Sequence, residues 1–336
     1  MTFFDSRLVI SVFIFLVSLG GAYGMLNTTL HDSVANPSEK LHADLNEAFA
    51  RHWRARTGAT VRIRQAHTPS GRPVNAVIDG LNVTALVLSL HGKGFWENPN
   101  LIPSSWEPLA PDLHYASPYT STIVFLVRKG NPKGIKDWND LLHPGTQVIA
   151  PSPKTSENGR WSYLAAWGYG LKQSGGNEAA ALEFVKRLFA NVISLDSKTG
   201  KGGATAAFVE HGAGDILLAW ESEAHFLIQE KGEDYLEIVV PSLSIVAEHP
   251  ISMAADGKGG TRDASGAYTE YLYTYHAQEI AAKHYYRPRN ALVRATYSER
   301  FPSINLFTVE EVFGGWHKAQ KIHFAAGGVF EQIASE

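Results

Sequence analysis

Leu41, Leu45, Ala48, Phe49 and Trp53 return every three or four residues, which places them along one buried face of a helix. The start of that helix is marked on the chain. Asn36 can cap it, Pro37 suits its first position, and Glu39 closes a capping box with Asn36. Thr57 and Gly58 end it. The period then shortens: residues 61–65 alternate as a strand does, 74–80 read as a second helix, and 85–90 as a buried strand. The stretch 117–132 leaves a turn of Ser and Pro, runs through β-branched and apolar residues, and stops at Gly130, Asn131 and Pro132.

The order strand, polar turn, helix, strand then repeats. One unit is strand 147–150, turn 151–159 and a helix through Leu171. The next is strand 192–195, turn 196–203, a helix to about Gly212, and strand 215–220. Such βαβ alternation predicts an α/β fold with mainly parallel sheets flanked by helices. Residues 237–240 read as a return strand between two lobes. The C-terminus is helical: 308–311 is a second capping box, with Val312, Phe313, Trp316 and Ala319 following on one side.

A length of 336 residues, 44% hydrophobic and 19% charged, is that of a globular chain with two lobes. A formal net charge of −3 with no basic block gives no footprint for nucleic acid. The absence of cysteine excludes disulfides, thiolate metal sites and cysteine nucleophiles. At the N-terminus, Arg7 precedes an apolar core at 8–19, and Ala22, Tyr23 and Gly24 fit a small-x-small cleavage site. Residues 1–24 are therefore expected to be a removed secretory signal. Asn27 and Asn82 begin glycosylation sequons, which matter only in a host that glycosylates secreted proteins.

No catalytic constellation is visible. The 14 histidines contain no His-Glu-x-x-His, the region around Lys201 fails the phosphate-loop spacing, and no Gly-x-Ser-x-Gly elbow surrounds Ser70 or Ser156. No metal and no cofactor is expected. Glu221 and Glu223 read as solvated or helix-capping carboxylates. The strand-to-helix turns at 67–71, 154–159 and 199–202 are different: they hold small polar and glycine residues. Free backbone N–H groups at helix starts, with the helix dipole, bind anions without a cationic side chain. The same residues also serve as ordinary helix caps.

Several longer motifs carry a family resemblance: the stretch 117–132, the helix 160–169, Ala219-Trp-Glu-Ser-Glu-Ala224, Tyr285-Tyr-Arg-Pro-Arg289, and 313–321. Together they resemble the sulfate-binding proteins of ABC import systems, from about Leu30 to Ile333. The resemblance implies a two-lobed type 2 periplasmic-binding-protein fold, with the ligand cleft between lobes 25–127 plus 237–336 and 128–236. It implies a monomer outside the cytoplasm, no catalysis, and an ABC permease as partner in a bacterium. It also implies that main-chain N–H groups, two serine hydroxyls and one indole N–H hold the dianion. Carried over by motif, these fall on Asn36, Ser70, Ser156, Glu157, Asn158, Gly200 and Trp220.

The departures from the family pattern cluster at these turns. Thr68, Pro69, Glu157 and Asn158 stand where the family has glycines, and Asn36 replaces an aspartate. Glu157 admits three roles: repelling a dianion, accepting a proton from hydrogenphosphate, or pointing into solvent, the last being the expectation. The ligand thus stays open between sulfate, thiosulfate and a phosphate-like oxyanion. A secreted scaffold that has lost its ligand and a hydrolase using the same cleft are the alternatives in other classes.

Overall fold

A computed structural model describes residues 37–61, 117–195, 203–248 and 260–334, all within the compact unit Pro37–Glu336. In chain order the first elements are α1 (Pro37–Thr57), β1 (Tyr119–Ser121), β2 (Ile123–Arg128), β3 (Val148–Pro151), α2 (Glu157–Gln173), α3 (Glu178–Ala190) and β4 (Val192–Leu195). Next come α4 (Gly203–Val209), β5 (Ile216–Trp220), α5 (Glu221–Lys231), β6 (Leu236–Val239), β7 (Leu243–Ile245) and β8 (Ala247–Glu248). The last are α6 (Gly260–Leu272), α7 (Tyr275–Lys283), β9 (Arg287–Pro288), α8 (Ala291–Thr296), β10 (Asn305–Phe307), α9 (Val309–Phe313), α10 (Trp316–Ala319) and α11 (Val329–Ala334). The expected elements at 62–90 and the turn at 196–202 lie outside the described residues.

The main sheet has the order β4-β3-β5-β2-β6. β3 is parallel to β4 and β5, while β2 is antiparallel to both β5 and β6. Four strands therefore share one direction, as the βαβ alternation predicts, and β2 alone opposes them. β2 is the first strand of this sheet in chain order, and β6, paired beside it, is the last. Alternate side chains of β2 point to opposite faces. Ile123, Phe125 and Val127 enter one core with residues of α2 and α3, whereas Val124 and Leu126 enter another with residues of α4 and α5. Both faces are thus covered, which explains the uninterrupted apolar run at 123–127.

Two smaller sheets flank this one. β1 pairs with both β8 and β9, antiparallel, and β7 pairs with β10, parallel. Leu41, Leu45, Ala48 and Phe49 of α1 are buried against Tyr119, Tyr268, Tyr271, Leu272 and Tyr286, the face that the apolar spacing predicts. Ser244 and Thr122 tie the sheets together: the Ser244 hydroxyl donates to the Ile123 carbonyl at 2.8 Å, and that of Thr122 to the Ile245 carbonyl at 2.8 Å.

The second capping box is present, with Thr308 accepting from the Glu311 N–H and the Glu311 carboxylate accepting from the Thr308 N–H. The single helix expected there is broken. Gly314 and Gly315 take φ of +67° and +94°, which side-chain-bearing residues rarely adopt. Phe313, before the break, and Trp316 and Ala319, after it, all reach the core built on β2 and α2.

Candidate functional site

α2 begins where β3 ends. Ser156, with extended backbone angles, is its N-cap, and the Ser156 Oγ accepts from the Gly159 N–H at 3.4 Å. The preceding turn is closed by the Ser156 N–H donating to the Ser152 carbonyl at 2.8 Å. Gly159 is required by this packing: a Cβ there would lie 2.4 Å from the Pro151 oxygen and 2.6 Å from the Ser152 carbonyl carbon. The first turn of α2 therefore lies flat on the end of β3, which sets where its N–H groups point. Arg160 is buried and locks the turn from the other side. Its Nε donates to the Pro153 carbonyl at 3.0 Å, and its guanidinium lies over the Phe324 ring.

A hydroxyl has one donor hydrogen and two acceptor lone pairs. Ser156 can thus accept from Gly159 and still donate elsewhere, so capping and anion binding are compatible in the same residue. The Asn158 Oδ1 accepts from the Ser162 hydroxyl at 3.0 Å, which leaves the Asn158 amide nitrogen outside that bond.

Trp220 sits at a second strand-to-helix junction. It is the last residue of β5, opposite Ile123, and the N-cap of α5. An indole N–H can only donate, and Trp220 makes no side-chain capping bond. The two junctions meet through aromatic rings. Trp161, in the second turn of α2, packs edge-on against Trp220 at 5.8 Å between centroids and against Trp316 at 4.6 Å. The structure thus brings the α2 start and Trp220 into one neighbourhood. Asn36, Ser70 and Gly200, with Thr68 and Pro69, lie outside the described residues.

The carboxylates differ from expectation. Glu221 is 1% exposed rather than solvated, and it forms a two-pronged pair with Arg287: Nε to Oε2 at 2.6 Å and Nη2 to Oε1 at 2.7 Å. Burial pushes the Glu221 carboxyl up, opposed by the bonds from Arg287. Glu223 accepts from the Thr205 hydroxyl at 2.6 Å, and burial raises its carboxyl as well. Glu157 is half-buried. Burial raises the Tyr286 phenol well above its ordinary value. A Ser222 hydrogen bond opposes that shift, and the charges of Glu157 and Glu223 add to it. Tyr286 therefore stays a neutral hydroxyl between acidic groups from two helix starts.

Sequence reasoning missed Tyr286 and Arg287 as individual residues, although the motif at 285–289 was visible. Beside them, His225 stacks on Tyr285 at 5.0 Å, with planes 8° apart. Burial pushes His225 down to about 4, helped by the Arg300 and Arg287 charges. Among the described residues, no group of three or more His, Asp or Glu could hold a metal ion. No helix among them is long and apolar enough to cross a membrane.

Comparison with known proteins gives the family. Residues 38–287 match the family model described as bacterial extracellular solute-binding protein. The sulfate-binding protein of Escherichia coli K12 is 49% identical over 302 residues, covering 89% of this chain and 91% of that protein. The thiosulfate-binding protein of Pseudomonas aeruginosa is 41% identical, covering 95% and 96%. Among solved structures, the sulfate-binding protein of Mycobacterium tuberculosis H37Rv superposes with a TM-score of 0.61 at 30% identity, covering 74% of this chain and 83% of that one. With its sheet flanked by helices on both faces and its paired strand-to-helix junctions, the chain has the two-lobed α/β type 2 fold and belongs to the bacterial extracellular solute-binding proteins, in the sulfate/thiosulfate-binding group.

Proposed function

We propose that this chain captures sulfate or thiosulfate outside the cytoplasm and presents it to an ABC permease, without catalysing any reaction. The observation that carries this reading is the likeness to the E. coli sulfate-binding protein along nearly the full length of both chains. The site combines the Ser156 hydroxyl, the first N–H groups of α2 at Glu157 and Asn158, and the Trp220 indole with Asn36, Ser70 and Gly200 from the remaining turns. These are donors only, or hydroxyls able to donate, and that suits an anion with no hydrogen of its own.

The chain divides into lobe 25–127 plus 237–336 and lobe 128–236, crossing at β2 and β6. The C-terminal helices are laid across the core of the second lobe. Residues 1–24 are removed on export, and the mature protein acts as a monomer. N-terminal mass determination and gel filtration of exported protein check these two points.

The decisive experiment is titration of the mature protein by calorimetry and thermal melting with sulfate, thiosulfate and phosphate. A ligand that binds only the folded state stabilises it by RT ln(1 + [L]/Kd), about 2.7 kcal/mol at 100-fold excess over Kd. Sulfate or thiosulfate should raise the melting temperature logarithmically with concentration. Stabilisation by phosphate in their place would make Glu157 a proton acceptor and the substituted turns a change of specificity. No response to any of the three would leave a scaffold.

A further inference from the structure

We infer that Arg287 is a positioning residue for Trp220, acting through Glu221. The inference rests on the reading of Trp220 as a ligand donor and extends it to a residue from a distant part of the chain. Trp220 ends β5, and Glu221 begins α5 with no side-chain cap at that junction. Two other constraints hold the junction in place. The Glu221 N–H donates to the Thr122 carbonyl at 2.9 Å, and both Glu221 oxygens accept from Arg287. Thr122 is the residue between β1 and β2, and Arg287 sits on β9 opposite Thr120 of β1. The residue after Trp220 is therefore pinned, by backbone and side chain, to the point where the small β8-β1-β9 sheet passes into the main sheet.

The other side of the tryptophan is held by the Trp161 ring from α2. Arg287 is anchored in turn, since its Nη2 also donates to the Pro302 carbonyl at 3.1 Å and its guanidinium lies over the Phe301 ring. A hydrogen-bond donor to an anion must be held within about 0.5 Å of its productive position. A planar fork engaging both carboxylate oxygens supplies that restraint, and an ammonium on a flexible stem does not. The buried Glu221 largely neutralises Arg287, so direct attraction of an anion by that charge is not what the pair contributes.

The test uses the mature full chain with calorimetric titration of sulfate and thermal melting. Arg287→Lys keeps the charge and loses the fork, and it should weaken sulfate binding about 10-fold, the low end of what loss of a supporting hydrogen-bond partner costs at a bound ion. Because that variant leaves a buried carboxylate poorly paired, Arg287→Leu combined with Glu221→Leu is made alongside it. Replacing a buried ion pair by apolar residues of similar volume commonly preserves stability. The double variant should melt near the parent and still bind sulfate about as weakly as Arg287→Lys.

Both changes are then repeated in a Trp220→Phe background, where they should cost little further affinity, because the group they position is gone. The same loss with and without Trp220, or full affinity in the fold-intact double variant, overturns the inference while Trp220 keeps its role. If the parent binds sulfate and Trp220→Phe binds it equally well, the reading of Trp220 as a donor fails and the inference fails with it.

Discussion

Trp220 carries the clearest single-residue consequence. Its indole N–H donates and cannot accept, so it favours a fully deprotonated oxyanion over one that must donate. Phenylalanine keeps most of the ring packing against Trp161 and removes only the donor. Trp220→Phe should therefore weaken sulfate binding by roughly 10–100-fold, the equivalent of a hydrogen bond to a charged group, about 1.5–3 kcal/mol. It should leave the melting temperature of the ligand-free protein nearly unchanged. Calorimetric titration measures the first and a thermal melt the second, and an unchanged affinity would reduce Trp220 to a core aromatic. The helix-start positions of Ser156 and Trp220 were legible in the sequence because each sits in a motif at a strand-to-helix boundary. Glu221 was not, because its partner Arg287 is 66 positions away and nothing local announces it. Glu157 shows the same limit: its charge is written in the sequence, but its half-buried setting near Tyr286 depends on which elements pack beside it.

Elements with long periodic runs were predicted well, and those defined only by contact were not. α1 follows from its apolar spacing, β2 from its unbroken apolar run, and α9 from its capping box. β8 and β9, of two residues each, exist because β1 lies between them. The seating of α2 belongs to this second kind. Its residue Gly168 faces β10, and a Cβ at that position would lie 2.1 Å from the Cζ of Phe307. The Phe307 ring is itself buried, with no room to retreat. Gly168→Ala should thus destabilise the protein by about 1–3 kcal/mol through overpacking, against a helix-propensity gain of about 1 kcal/mol. Overpacking wins because the clash is with a ring in the middle of the core rather than with the flexible end of a side chain. Phe307→Leu made in the Gly168→Ala protein should recover part of the loss, whereas the same change made in the parent should cost stability. Urea midpoints for the four proteins measure this. Losses that simply add would show that α2 and β10 do not meet at this pair.

For the molecule as a whole, two histidines drawn into the interior make stability respond to acid. His323 is 4% exposed, its Nδ1 bonds the Tyr163 hydroxyl at 2.9 Å, and the rings of Trp167 and Phe313 pack edge-on against it. These neighbours offer no counter-charge, so burial pushes His323 from 6.5 down to about 4. The folded state therefore resists the proton that the unfolded chain accepts. The stabilisation from this residue is complete above pH 6.5 and is lost progressively as pH falls to about 4. A difference of that size corresponds to about 3 kcal/mol once both states are protonated, at 1.36 kcal/mol per pH unit. His225, also pushed down to about 4, acts in the same direction and over the same window. Glu221 and Glu223, pushed up by burial, act oppositely, because the folded protein takes up their protons before the unfolded chain does. Between the ordinary carboxylate range and pH 6.5 the two effects oppose each other, so the histidine part is read from the difference between the parent and a histidine variant. Urea unfolding of the parent and of His323→Gln should show the stability difference between them shrinking by up to about 3 kcal/mol as pH falls from 6.5 toward about 4. A difference that stays constant with pH would mean that His323 takes up its proton equally well in the folded protein, with the aromatic cluster around it opening to water below neutral pH.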